Sequence, residues 1–190
     1  GFNKREGKAS ENAILTCRVI DSPMRPLFPK DYRNDVTLEK LVMSVDQDCS
    51  PELTAMLGAA IATSISDIPF DGPISTTQVG LVDGEFVFNP TAAQKEVSDL
   101  ALTVASTKEK VIMIEAGANE VPEAQMIEAI FAAHELNQKV IAFIETIVAE
   151  CGKAKHEYTS CAVPEELFEA IKEIVPPAEM EEAVFTDDKQ

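Results

Sequence analysis

The order of elements in this sequence predicts an α+β sandwich, a layer of short strands carrying helices, rather than a doubly wound nucleotide-binding fold. Three observations lead there. An Asp83-Gly84 pair lies between two apolar runs and is the strongest short hairpin signal in the chain. Two further strand-like runs, 100–105 and 111–115, flank the polar Thr107-Lys108-Glu109-Lys110, a connection short enough for antiparallel pairing. A long helical pattern then spans 122–151, with Met126, Ile130, Ala133, Val140, Ile144 and Ile147 along one stripe and Gly152 beyond its end.

The earlier elements follow from local signals. Ser10 is placed to cap a helix in which Ala13, Cys17 and Ile20 recur at helical spacing. That helix is expected to stop before Pro23, because the residue preceding a proline is pushed out of the helical region. Three prolines within residues 23–29 predict a pinned, non-helical turn. Residues 36–45 read as a strand. Ser50-Pro51 opens the next helix, whose body of Ala55, Gly58, Ala59, Ala60 and Ala62 suggests burial on most faces. Asn89-Pro90-Thr91 ends the hairpin and can open a short helix. Beyond residue 155 the composition shifts, with a helix expected from about 163 to 175, a break at Pro176-Pro177 and a resumed helical pattern. The expected domains are therefore 1–155 and 156–190.

Composition narrows the function. The 190 residues are 45% hydrophobic with no Trp, enough for an aliphatic core. No apolar run reaches the roughly 18 residues that span a bilayer, and the first residues lack a signal-peptide core. The expectation is a cytoplasmic chain with no membrane partner. Cys17, Cys49, Cys151 and Cys161 form no Cys-x-x-Cys pair, and only two histidines are present, so common zinc spacings are absent. Cys17 and Cys49 sit in apolar patterns and read as small buried hydrophobes. The net charge is −17, yet all four arginines fall within residues 1–33, which carry a net +3 against −20 for the rest. Guanidinium suits phosphate oxygens, so a local anion site on an otherwise repulsive body is implied.

The first residues sharpen that site. Phe2-Asn3-Lys4-Arg5-Glu6-Gly7-Lys8 joins one ring to three cations on a stretch too polar for a core. Base stacking on an aromatic with cations on the backbone is the usual mode for single-stranded nucleic acid. Residues 4–11 and the run Leu15-Thr16-Cys17-Arg18-Val19-Ile20-Asp21-Ser22-Pro23-Met24-Arg25-Pro26-Leu27-Phe28-Pro29 closely resemble the first core domain of polynucleotide phosphorylases. Ser66-Asp67-Ile68-Pro69-Phe70-Asp71-Gly72-Pro73-Ile74, Val87-Phe88-Asn89-Pro90-Thr91 and Ile114-Glu115-Ala116-Gly117-Ala118-Asn119-Glu120-Val121-Pro122-Glu123 match in the same order.

The resemblance implies a ribonuclease PH-like β-α sandwich, incomplete at its N-terminus, followed by part of an all-α domain. It also implies a homotrimeric ring that degrades single-stranded RNA from its 3′ end with inorganic phosphate, releasing nucleoside diphosphates. Phe2 would stack on a base, with Lys4, Arg5 and Lys8 on phosphates. Arg18 and Arg25 would brace that loop from behind, Arg18 through Asp21 one helical turn away. The family's channel loop has two aromatics followed by two arginines, where this chain reads Phe2, Asn3, Lys4, Arg5, so stacking is weakened while charge is nearly kept. The family's Asp-Arg before the proline is Asp21-Ser22 here.

Catalysis is expected elsewhere in the longer protein, with no catalytic residue and no metal site in this chain. Magnesium and inorganic phosphate are implied only for the complete enzyme. Phosphoryl transfer needs metal-holding carboxylates beside a basic group. A position taken to face inward, often Asp in relatives, is Ala101, and Asp99 beside it is expected to face the other way. Glu115, Glu120, Glu123 and Glu128 read as surface charges, His134 as a half-buried structural residue and His156 as surface. The alternative is a stand-alone RNA- or anion-binding scaffold without phosphorylase activity.

Overall fold

The computed structural model describes residues 9–46 and 48–186. They divide into two compact units, one of residues 9–29 and 35–157, the other of 30–34 and 158–186. In the first unit the order is α1 (Glu11–Met24), a 3-10 turn (Arg25–Leu27), α2 (Pro51–Ile65), β1 (Ser75–Val82), β2 (Glu85–Phe88), α3 (Ala92–Glu96), β3 (Leu100–Ser106), β4 (Val111–Ala118) and α4 (Glu123–Cys151).

The strands form one sheet in the order β2-β1-β3-β4, antiparallel throughout. Asp83 and Gly84 take φ of 52° and 81°, the left-handed pair that closes a two-residue hairpin without splaying its strands. Thr91 caps α3, accepting from Gln94 N while the Gln94 side chain accepts from Thr91 N. The hairpin, the short helix and the pairing of β3 with β4 all match the expectation.

One face of the sheet packs on α4. Val79, Leu81, Leu100, Leu102 and Val104 meet Ala129 and Ala133, and both alanines are fully buried. Small side chains there let the helix lie close, and each large aliphatic removed from water contributes about 1.5–3 kcal/mol. The stripe of α4 is rotated from the predicted one, for the buried positions are Ala129, Ala133, Asn137, Ile141 and Ile144. Asn137 belongs there because its partners are internal. Its Oδ1 accepts from Thr77 Oγ1 at 2.8 Å, and its Nδ2 donates to Val104 O at 3.1 Å and Ser106 Oγ at 3.0 Å. A second apolar cluster joins Ile20, Met24 and Leu27 to Met56, Ala60, Phe70, Ala105 and Ile144.

Several expectations fail, each for a physical reason. Residues 36–45 make no strand. They run without a ladder along α2, and Leu41 and Met43 are 83% and 89% exposed. A strand pattern needs a neighbour to pair with, and none is present among the described residues. The helix does not stop before Pro23 but continues to Met24, and the 3-10 turn extends it through the proline-rich stretch that was expected to be non-helical. The ring of Pro23 is among the most buried side chains, and this packing outweighs the single helical bond it forgoes. Cys17 and Cys49 are exposed rather than buried. Only the C-terminal half of α1 reaches the core, leaving Ile14 and Leu15 49% and 61% exposed. α2 buries Met56, Ala59, Ala60, Thr63 and Ser64, but its Gly58 face is open.

After α4 the chain returns to α2. Lys153 N donates to Ile65 O, His156 N donates to Asp67 O, and the Lys155 ammonium donates to the carbonyls of Thr63, Ser64 and Ser66 at 2.8–3.1 Å. The last carbonyls of α2 thereby gain partners. Burial holds Lys155 below the usual lysine range, partly offset by Asp67. His156 is half-buried by this contact, against the surface reading.

In the second unit α5 (Glu165–Ile174) and α6 (Pro177–Phe185) bury no residue. Its fixed point is Asp31, which accepts from Tyr158 Oη at 2.8 Å, while Tyr32 meets the Tyr158 ring edge-on at 5.0 Å. Hydrogen bonds from Ser160 and Tyr158 hold the Asp31 carboxyl below its usual range.

Candidate nucleic-acid interface

The expected RNA-contacting residues divide by position. Phe2, Lys4, Arg5 and Lys8 lie outside the described residues. Just beyond them, Ser10 caps α1 by accepting from Ala13 N at 3.2 Å, so the basic stretch leads directly into a helix N-terminus. Arg18 and Arg25 are both exposed on α1 and the turn that continues it. They are seven residues apart, two helical turns, and so share a face.

The bracing pair is not the expected one. Asp21 accepts from Arg25, at 3.0 Å from Nε and 2.6 Å from Nη2, and not from Arg18. Helical side chains lean toward the N-terminus. Arg25 therefore leans back onto Asp21, while Arg18 leans away from it. Arg18 makes no ion pair among the described residues, so its guanidinium is available to an anion. The Arg25 pair is largely exposed and contributes at most about 1 kcal/mol, so a phosphate can compete for it.

Among the described residues no group of three His, Cys, Asp or Glu side chains could hold a metal ion. Ala101 is exposed, not inward, because the flanking Leu100 and Leu102 occupy the helix-facing positions. The expectation that Asp99 faces away from Ala101 is also wrong. Two residues apart on extended chain, they share a side, and Asp99 is exposed with its carboxylate 3.5 Å from Asn119 Nδ2. Glu115, Glu120, Glu123 and Glu128 are exposed as expected. His134 is half-buried, with Gln138 Nε2 3.4 Å from its ring nitrogens.

A second polar arrangement was not anticipated. Gln78 on β1 pairs with Thr103 on β3, which pairs with Glu115 on β4, so the three form a row across the sheet face opposite α4. The next row is Gly80, Ala101 and Gly117. Above them α3 brings Lys95 over a hollow of about 150 Å³ walled by Pro90 and floored by Gln78, Ala101 and Thr103. The Asp-Gly turn fixes only the β1/β2 register. The β1/β3 pairing joins residues far apart in sequence, and no local signal reveals it.

Two family descriptions match the chain: "3′ exoribonuclease family, domain 1" over residues 1–69 and "domain 2" over 72–135. The polyribonucleotide nucleotidyltransferase of Lachnoclostridium phytofermentans is 81% identical over 190 residues, all of this chain and 27% of the relative. That of Ruminiclostridium cellulolyticum is 56% identical over the same span, again 27% of its length. The chain therefore spans about a quarter of the curated relatives it matches. Rice Rrp46 shares the fold, with a TM-score of 0.59 over 76% of this chain and 69% of that one at 12% identity. Matched in order by both domain descriptions and along its whole length by these relatives, the chain belongs to the 3′ exoribonuclease family and has its RNase PH fold.

Proposed function

We propose that this chain is the RNA-guiding part of a phosphate-dependent 3′-to-5′ exoribonuclease, a polyribonucleotide nucleotidyltransferase that works as a homotrimeric ring. Single-stranded RNA is the partner. Phe2 stacks on a base, Lys4, Arg5 and Lys8 take phosphates, and Arg18 and Arg25 supply further cations from one face of α1. The observation that carries this reading is the end-to-end similarity to about a quarter of such enzymes, joined to the confinement of every arginine to residues 1–33. In the ring three such segments converge, so their weak individual affinities combine.

Phosphorolysis, with the magnesium and inorganic phosphate it requires, belongs to the rest of the longer protein. In this reading the position where relatives often carry an Asp is Ala101, which leaves Asp99 without a second carboxylate beside it on that strand. The test is direct. The purified chain, given poly(A), phosphate and magnesium, should release no nucleoside diphosphate, whereas the complete protein should. Release by the chain alone would end this division of roles.

A further inference from the structure

The two edges of the sheet differ. β2 is only four residues long, and a short edge gives a foreign strand little to pair with. β4 is eight residues long and contains neither Lys nor Pro, the residues that blunt an exposed edge. Its pairing with β3 sets which backbone groups are free. Asn119 N donates to Asp99 O, and hydrogen-bonded pairs alternate along an antiparallel ladder, so Gly117 and Glu115 turn their backbone groups inward to Ala101 and Thr103. Ile114, Ala116 and Ala118 therefore present N–H and C=O outward, and no strand pairs with them among the described residues.

An apolar shelf lies beside this edge. Ile114, Ala116 and Ala118 stand opposite Val104, Leu102 and Leu100, and so share the side of the sheet that carries α4. That helix lies over β1 and β3 and leaves all three exposed. Its Leu136 and Val140 flank faces β1. Ile127 and Phe131 lie on the opposite flank, with Gln138 and Glu145, which reach Thr107 and Lys108 in the β3–β4 turn. Ile114, Ile127 and Phe131 are 50%, 54% and 64% exposed.

Charge decides what fits. Residues 111–138 include Glu115, Glu120, Glu123, Glu128 and Glu135 and no Lys or Arg. Glu115 is on the side of the sheet away from α4. A second copy pairing through β4 would set acid beside acid, and RNA would meet the same repulsive field.

We infer that the β4 edge docks an extended segment of a partner protein in which apolar residues alternate with Lys or Arg. The segment adds a strand to the sheet, its backbone pairing with Ile114, Ala116 and Ala118. Alternate side chains point to opposite faces. The apolar ones cover Ile114 against Ile127 and Phe131, and the cations meet Glu115 on the other side.

The chain is mixed with short peptides, and hydrogen exchange is followed at the amides of Ile114, Ala116 and Ala118. One peptide alternates Lys and Val, one alternates Glu and Val, and one holds the same Lys and Val residues in two blocks. The alternating Lys-Val peptide should slow exchange at all three amides, and the other two should not. Ala116→Pro removes an outward donor and no bond of the native sheet, and should weaken binding about tenfold. Phe131→Ser, at an exposed helix position, should also weaken it about tenfold, which keeps the test if Ala116→Pro does not fold. Glu115→Lys should narrow the preference for Lys-Val over Glu-Val about tenfold. Equal binding of the Lys-Val and Glu-Val peptides, or unchanged binding in Phe131→Ser and Glu115→Lys, would overturn the inference. Slow exchange at these amides without peptide, in the chain at raised concentration or in the complete enzyme, would mean that a second copy or the longer protein holds the edge, and would overturn it too.

Discussion

The layer between the sheet and α4 and the stretch 38–46 beside α2 have similar compositions and opposite fates. In the first, Leu102, Val104, Ala129, Ala133 and Ile144 are at most 1% exposed. In the second, Leu41, Val42, Met43 and Val45 are more than half exposed and border an apolar groove of about 560 Å³ against Ala55, Gly58 and Ala62 of α2. The run 100–105 of the first and the run 36–45 that includes most of the second both read as strands. Only the first has partners, on both edges through β1 and β4 and on one face through α4. Apolar alternation specifies which side chains could be buried, while ladder partners decide whether they are.

The contrast can be broken most severely at Ile144. Replacing it with Ala should cost about 2–5 kcal/mol, since it is fully buried between the sheet and α2, and urea unfolding reads this directly. Asn137→Ala should follow, at about 2–3 kcal/mol, because Thr77 and Ser106 lose an internal partner at once. Lys155→Met should cost about 1 kcal/mol by freeing three carbonyls at the end of α2, visible as faster amide exchange in its last turn. Met43→Ser should change stability by no more than about 0.5 kcal/mol. A loss above about 2 kcal/mol there would mean that the stretch packs as tightly as the sheet.

The smallest effect is a local one in acid. The folded Asp31 carboxyl titrates below its usual value of 3.8, so its contribution is present above that pH and lost as pH falls through the depressed value. The chain has two tyrosines and no Trp, and both tyrosines flank Asp31. Tyrosine fluorescence should therefore change in that acid window, and Asp31→Asn should remove the change.

Legibility followed the range of the interactions. The hairpin at Asp83-Gly84, the caps at Ser10 and Thr91 and the length of α4 rest on contacts within a few residues, and the sequence displays them. The failures are long-range. Pro23 stays helical because of what it packs against, Cys17 is exposed because only half of α1 reaches the core, and Asn137 is buried because Thr77, Val104 and Ser106 are far away in sequence. The candidate site divides in the same way. The clustering of arginines is visible in the sequence, but the exchange of Arg18 for Arg25 at Asp21 depends on the lean of helical side chains. The row of Gln78, Thr103 and Glu115 requires a register that no local residue announces.

The RNA-guiding role is tested most directly by the salt dependence of RNA binding in the assembled enzyme. Removing Lys4 and Arg5 together should weaken binding and flatten the plot of log K against log salt by about 0.7 for each single-strand phosphate no longer neutralised. Removing Glu123 and Glu128, which are exposed, should leave both nearly unchanged. An unaltered salt slope in the protein without Lys4 and Arg5 would mean that those side chains do not touch the RNA backbone, and would contradict the account.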